Sequence, residues 1–205
     1  MSFDIWLALV ALFFVGGLTP GPAVMLVLAS SFRYGFRPAM LPALGIASAN
    51  VIWLLLAASG AFALVKTFPV LLTGMKALGF LVILYLAYST ITGPAPNLDD
   101  ATDAPKRSRL YGRGVALQIS SPLPLVYFGL LLPTYFDANL PILTQFMIML
   151  VTVTATELFG LAAYAYGAER IRQWLTNERA AKMFNIGIGA VMIASGIWAI
   201  WSTSI

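Results

Sequence analysis

Six stretches of about 20 or more predominantly apolar residues, the length needed to cross a bilayer as a helix, succeed one another along the chain at 5–29, 38–64, 71–92, 112–135, 142–168 and 184–203. Short polar connections separate them. Apolar runs of this length predict an all-α integral membrane protein with six transmembrane helices. Two of the runs are interrupted in their interior: Thr19-Pro20-Gly21-Pro22 breaks the first, and Ser120-Ser121-Pro122-Leu123-Pro124 breaks the fourth. A proline removes a backbone donor and clashes with the preceding turn, leaving unpaired carbonyl and N–H groups where lipid cannot satisfy them. Only neighbouring protein, a substrate or trapped water can do so, which points to a transporter with broken helices 1 and 4.

The longest connection, 93–110, carries three prolines, Asp99, Asp100 and Asp103, and then a basic cluster. It divides a single transport domain, 1–205, into three-helix units at 1–92 and 111–205. The breaks fall in the first span of each unit. A unit with an odd number of spans re-enters the membrane in the opposite sense when duplicated, so the expectation is a 3+3 inverted repeat. Weaker pairing joins the third spans, where Lys76 and Gly79 precede Tyr85, and Lys182 and Gly187 precede Trp198. The alternative is that the prolines merely kink two packed helices.

Composition agrees with the membrane class: 60% of residues are hydrophobic and only 10% charged, with a mean hydropathy of +0.88. The absence of histidine and cysteine removes disulfides, thiol nucleophiles and the usual zinc and haem ligands. No cofactor or metal is expected. Of the basic residues, ten lie on the connections between spans 1 and 2, 3 and 4, and 5 and 6, against only Lys66 and Lys76 on the other side. The positive-inside rule then places both termini outside the cytoplasm and 93–110 within it. The same bias accounts for the basic cluster without nucleic acid; membrane lipid is its partner. The first run is read as a retained span, because Asp4 and no basic residue precede it. The stretch from Arg170 to Lys182 reads as an interfacial helix or a solvated loop.

Glu157 is the only carboxylate well inside a predicted span. Ionised, it costs roughly 2.5 kcal/mol or more unless it faces a partner or a wet cavity, which marks it as a proton or substrate site; a neutral acid hydrogen-bonded between helices is the alternative. Asn50 follows, then Thr154, Thr156, Gln118 and Tyr164. Tyr164 stands seven residues beyond Glu157, on roughly the same helical face. Ordinary interhelical hydrogen bonding would also explain these polar side chains. The glycines permit close helix approach, and the spacing of Gly17 and Gly21 reads as internal packing, with a homodimer left open.

The element Gly17-Leu18-Thr19-Pro20-Gly21-Pro22, with Gly35, Ala43-Leu44-Gly45-Ile46-Ala47, and Lys76, Gly79 and Tyr85-Leu86, resembles the LysE/RhtB family of bacterial amino-acid exporters. The resemblance covers essentially the whole chain. It implies a multi-pass protein of the bacterial inner membrane that moves an amino acid outward, driven by the proton-motive force. Three positions depart from the family pattern: Ala23 replaces Asn after TPGP, Ser121-Pro122-Leu123 replaces Asn-Pro-Lys, and Asn50 replaces Asp. The acid and base are lost together, a change that low-dielectric energetics permit. With Glu157 as the retained acid, a neutral amino acid fits better than lysine or arginine.

The site so read comprises Thr19, Pro20, Gly21, Pro22, Asn50, Ser120, Ser121, Pro122 and Tyr164 for substrate, and Glu157 for proton coupling. A zwitterion would turn its carboxylate to N–H groups freed at Gly21 and its ammonium to carbonyls or Glu157. The remaining alternatives are a channel or a sodium-coupled transporter of another small metabolite. No enzyme is expected, since the scattered serines and acids form no catalytic set.

Overall fold

The computed structural model describes residues 1–59, 69–92, 106–121, 124, 127–128, 132–135, 139–174 and 178–202. Within them the chain is all-α. Its helices are α1 (Phe3–Leu18), α2 (Pro22–Tyr34), α3 (Phe36–Ala58), α4 (Pro69–Ile91), α5 (Arg107–Ser120), α6 (Ile142–Trp174) and α7 (Glu178–Ser202), with a short 3-10 turn at Leu132–Tyr135. Helix α3 and the Ile142–Arg172 part of α6 are each long and apolar enough to cross a membrane, and α1 with α2 forms a third candidate bent by 56°. Shorter apolar stretches occupy Ala77–Ile91 of α4 and Lys182–Ile197 of α7.

The first break has a local cause. Pro20 cannot continue α1, while Pro22 takes the first position of α2, where its fixed φ suits a helix and its missing donor is not needed. Gly21 between them is extended (φ −140°, ψ −176°) and supplies the first carbonyl of α2, accepting from Met25 N at 2.9 Å. The next junction is a single residue. Gly35 (φ 88°) joins α2 to α3, a left-handed conformation that a Cβ would strain. Glu169 of α6 accepts there from Phe36 N at 2.9 Å, capping α3 from another helix.

The first core cluster joins α2, α3, α4, α6 and α7 through residues such as Val27, Ile46, Leu86, Leu161 and Met192. A second gathers Leu9, Phe13, Trp53, Phe128 and Met149 around α1. Helices α1 and α2 pack against α6, and α5 packs against α3. Helices α4 and α7 pack against each other. The α1–α6 and α3–α5 contacts are set by glycine. A Cβ on Gly160 would stand 2.8 Å from the Gly17 carbonyl, and Cβ atoms on Gly45 and Gly114 would collide with the carbonyls of Tyr111 and Pro42. Small residues let membrane helices approach this closely.

Two boundaries differ from the sequence reading. Helix α5 already begins at Arg107, inside the expected 93–110 connection, because arginine and leucine are good helix formers and extend the span into the headgroup region. Helix α6 continues to Trp174 and α7 begins at Glu178, so both ends of the Arg170 to Lys182 stretch belong to long helices, while 175–177 lie outside the described residues. Residues 60–64, 93–105 and 136–138, with Lys66, Pro122, Leu123 and Leu175, lie outside the described residues.

Candidate functional site

Both breaks border one cavity of about 140 Å³, lined by Thr19, Gly21 and Pro22 at the first and by Ser121 and Pro124 at the second. The broken ends are only partly satisfied. In α1, Thr19 donates its hydroxyl to Val15 O at 2.8 Å and its N–H to Gly16 O at 3.2 Å. In α5, Ser120 donates its hydroxyl to Ala116 O at 2.6 Å, and the indole Nε1 of Trp53, reaching across from α3, donates to Gln118 O at 3.2 Å. The start of α2 stays open. Gly21 has no side chain to cap it, so the N–H groups of Ala23 and Val24 lack intrahelical partners in residues that line the cavity.

A polar chain crosses the cavity wall opposite. Gln118 Nε2 of α5 donates to Asn50 Oδ1 of α3 at 2.6 Å, and Asn50 Nδ2 donates to Glu157 Oε2 of α6 at 2.5 Å. With Glu157 ionised the direction of this chain follows. An ionised carboxylate only accepts, so Asn50 must turn its NH₂ toward Glu157 and its oxygen toward Gln118. Glu157 Oε1 has no hydrogen-bond partner among the described residues and is left for the cavity. Glu157 is the one acidic or basic residue (Asp, Glu, Lys or Arg) among the described lining residues. Phe13, Tyr127, Phe128 and Leu161 supply the apolar wall. No cluster of acids able to hold a metal ion occurs among the described residues.

Two helix ends and one acid thus border a single cavity. The profile of the LysE type translocator matches residues 14–202. The chain belongs to the LysE family. It is similar to the homoserine/homoserine lactone efflux protein of Salmonella typhi and to that of Salmonella typhimurium strain LT2, each 23% identical over 197 residues that cover 96% of both chains. No solved structure gives a significant match. Membership makes the chain a membrane transport protein of small molecules and not an enzyme.

Of the residues singled out from the sequence, this LysE-type translocator places Thr19, Gly21, Pro22, Asn50, Ser121 and Glu157 on the cavity wall. Pro20 is exposed beside the break and off the wall. Ser120 faces its own helix, its hydroxyl engaged by Ala116 and Leu117 carbonyls. Tyr164 packs against the core cluster instead, because seven residues along a helix restore the face but shift the depth by about 10 Å. Pro122 lies outside the described residues. Gln118 ranks behind Asn50 among the polar residues of the spans, although a glutamine two residues before a break is a usable signal. The aromatic wall of Phe13, Tyr127 and Phe128 left no sequence signal, since phenylalanine and tyrosine are common in every span.

Proposed function

We propose that this LysE-family translocator exports small neutral amino acids across the bacterial inner membrane in exchange for protons, with the cavity between the two breaks as the substrate site. The observation that carries this reading is the hydrogen-bonded chain Gln118–Asn50–Glu157, which leaves one carboxylate oxygen facing the cavity and no fixed cation among the described lining residues. A zwitterion suits that arrangement. Its ammonium meets Glu157 Oε1, and its carboxylate meets the N–H groups at the start of α2, where the helix dipole adds partial positive charge. A cationic side chain would need a second counter-charge. The volume, about 140 Å³, is close to that of an engineered cavity of about 150 Å³ that admits benzene, which favours a molecule of amino-acid size. The efflux proteins from Salmonella carry homoserine in their names, a neutral amino acid of this size.

Coupling then follows from competition for one carboxylate. Glu157 at membrane depth is tolerated either protonated or paired with the ammonium of its cargo, and the bare ion is the costly state. Proton and substrate therefore displace each other, which is the requirement for antiport. Access alternates by rocking of the two three-helix units. Their 3+3 inverted relation is supported by the reciprocal packing of spans 1 and 4, and by the paired glycine crossings of Gly17 with Gly160 and Gly45 with Gly114. Both termini lie outside the cytoplasm in this scheme, from the placement of the basic residues.

Counterflow in proteoliposomes tests the reading. Homoserine, threonine and leucine are expected to exchange faster than lysine, arginine or glutamate, with uphill movement only under a pH gradient. Fastest exchange of lysine or arginine would overturn substrate neutrality, and uphill movement driven by a sodium gradient alone would overturn proton coupling.

A further inference from the structure

A second, smaller pocket lies away from the cavity, at the end of the bundle where α2 finishes and α5 begins. Its volume is about 30 Å³, and Ser30 and Arg33 of α2, Ser89 and Thr90 of α4, Arg113 of α5 and Asn185 of α7 line it. No carboxylate is among the described lining residues. Arg33 lies over the ring of Tyr34, with its guanidinium carbon 5.1 Å from the ring centre. Arg113 reaches Ser89 Oγ only at 3.5 Å, the limit of a hydrogen bond. Neither arginine is paired with an acid through a described contact.

Asn185 adds an independent signal. It is only 4% exposed, lines the pocket, and makes no hydrogen bond among the described residues. Its carboxamide is not fully enclosed, so at this pocket-lining position it is available to a ligand or to water. The available hydrogen-bonding capacity defines that ligand. Ser30 and Thr90 donate their hydroxyls to Leu26 O and Leu86 O, so the free donors are Arg33, Arg113, the Ser89 and Tyr34 hydroxyls and the Asn185 NH₂. A donor set carrying two positive charges selects an oxyanion and rejects an amine or a metal cation.

We propose that this pocket is an oxyanion-binding site, occupied by the phosphate of an anionic lipid headgroup held between α2, α4, α5 and α7. Basic pockets between membrane helices near the surface are suited to such headgroups. The volume admits one small oxyanion group, not a whole headgroup, so the glycerol and acyl chains stay outside against the apolar helix faces. A phosphatidylcholine phosphate meets the same donors but brings a quaternary ammonium toward two arginines, so net headgroup charge decides occupancy. The site bridges α2 and α5 of the first and fourth spans with the third spans α4 and α7. It is independent of how the central cavity chooses its cargo, and its failure would leave the export reading untouched.

Native mass spectrometry of the purified full chain, titrated with phosphatidylglycerol or phosphatidylcholine, reads the site directly. The wild type is expected to retain one phosphatidylglycerol and to lose it roughly tenfold more readily in Arg113→Gln and Asn185→Ala, each removing a charge-assisted or buried hydrogen bond. Arg113→Lys should restore part of the retention. Arg109→Gln, on the same helix but outside the pocket, serves as the control and should behave as wild type. A second arm measures thermal stabilisation by inorganic phosphate in lipid-free detergent. Stabilisation of the wild type but not of Asn185→Ala, with no preference between lipids, would keep the oxyanion site and replace the lipid by a free anion. Retention that ignores headgroup charge together with no response to phosphate would overturn the proposal, as would an equal loss in Arg109→Gln. Should Arg113→Gln fail to fold, Arg33→Gln and Asn185→Ala carry the comparison.

Discussion

Asn50 Nδ2 donates to Glu157 Oε2 at 2.5 Å, joining α3 to α6. The two residues stand at almost the same depth, about four turns from Phe36 and Ile142, the starts of α3 and α6. One of the pair titrates and the other does not, so whatever symmetry the backbone has, the chemistry of the site is one-sided.

Glu157→Gln keeps the shape and a hydrogen bond to Asn50 but cannot cycle through charge. Uphill transport driven by a pH gradient in proteoliposomes should be abolished, while yield, elution and helical content stay at wild-type values. Undiminished gradient-driven transport by this variant would return Glu157 to a packing role.

Asn50→Leu removes the donor to Glu157 and the acceptor for Gln118 together. Leaving both without their partner should lower stability by about 1–3 kcal/mol, readable as a lower unfolding temperature in detergent. Asn50→Asp tests charge instead. A second carboxylate beside Glu157 supplies the missing counter-charge, and lysine counterflow should rise relative to threonine counterflow; an unchanged ratio would argue that Asn50 does not set selectivity.

Gly160→Ala places a Cβ 2.8 Å from the Gly17 carbonyl. Backbone on both sides cannot yield as a side chain would, so a loss of about 1–3 kcal/mol is expected. Gly167→Ala, on the same helix with nothing within 4 Å of the added carbon, should shift stability by no more than about 0.5 kcal/mol. Thermal unfolding of the pair measures the difference, and equal effects would mean that the α1–α6 crossing is looser than described.

Single cysteines at Ser2, Ser108 and Ser204 of this cysteine-free chain report sidedness. In intact cells an impermeant thiol reagent should label positions 2 and 204 and leave 108 untouched, following the ten basic residues on the connections assigned to the cytoplasm. The reverse labelling pattern would invert the orientation, and with it the end of the bundle at which Arg33 and Arg113 meet the bilayer.

The sequence alone determined the properties that depend on local chemistry. Long apolar runs need no partner to be recognised, because the bilayer itself sets their length. Thr19-Pro20-Gly21-Pro22 and Ser120-Ser121-Pro122-Leu123-Pro124 carry the prolines that stop a helix, and α1 and α5 end at Leu18 and Ser120. Glu157 stood out because a charge at membrane depth is costly wherever its neighbours lie. Tertiary structure decided what depends on depth and on facing helices. Tyr164 shares a face with Glu157 but packs about two turns away, whereas Gln118 meets Asn50 because Gly45 and Gly114 let α3 and α5 cross so closely. Phe13, Tyr127 and Phe128 become a cavity wall only once the first and fourth spans are brought together. Asn185 is unremarkable in sequence and becomes informative when Arg33 and Arg113 converge on it from two other helices. Periodicity along one helix fixes direction around its axis, but it carries no information about which residue of another helix stands opposite, and that pairing is what makes a site.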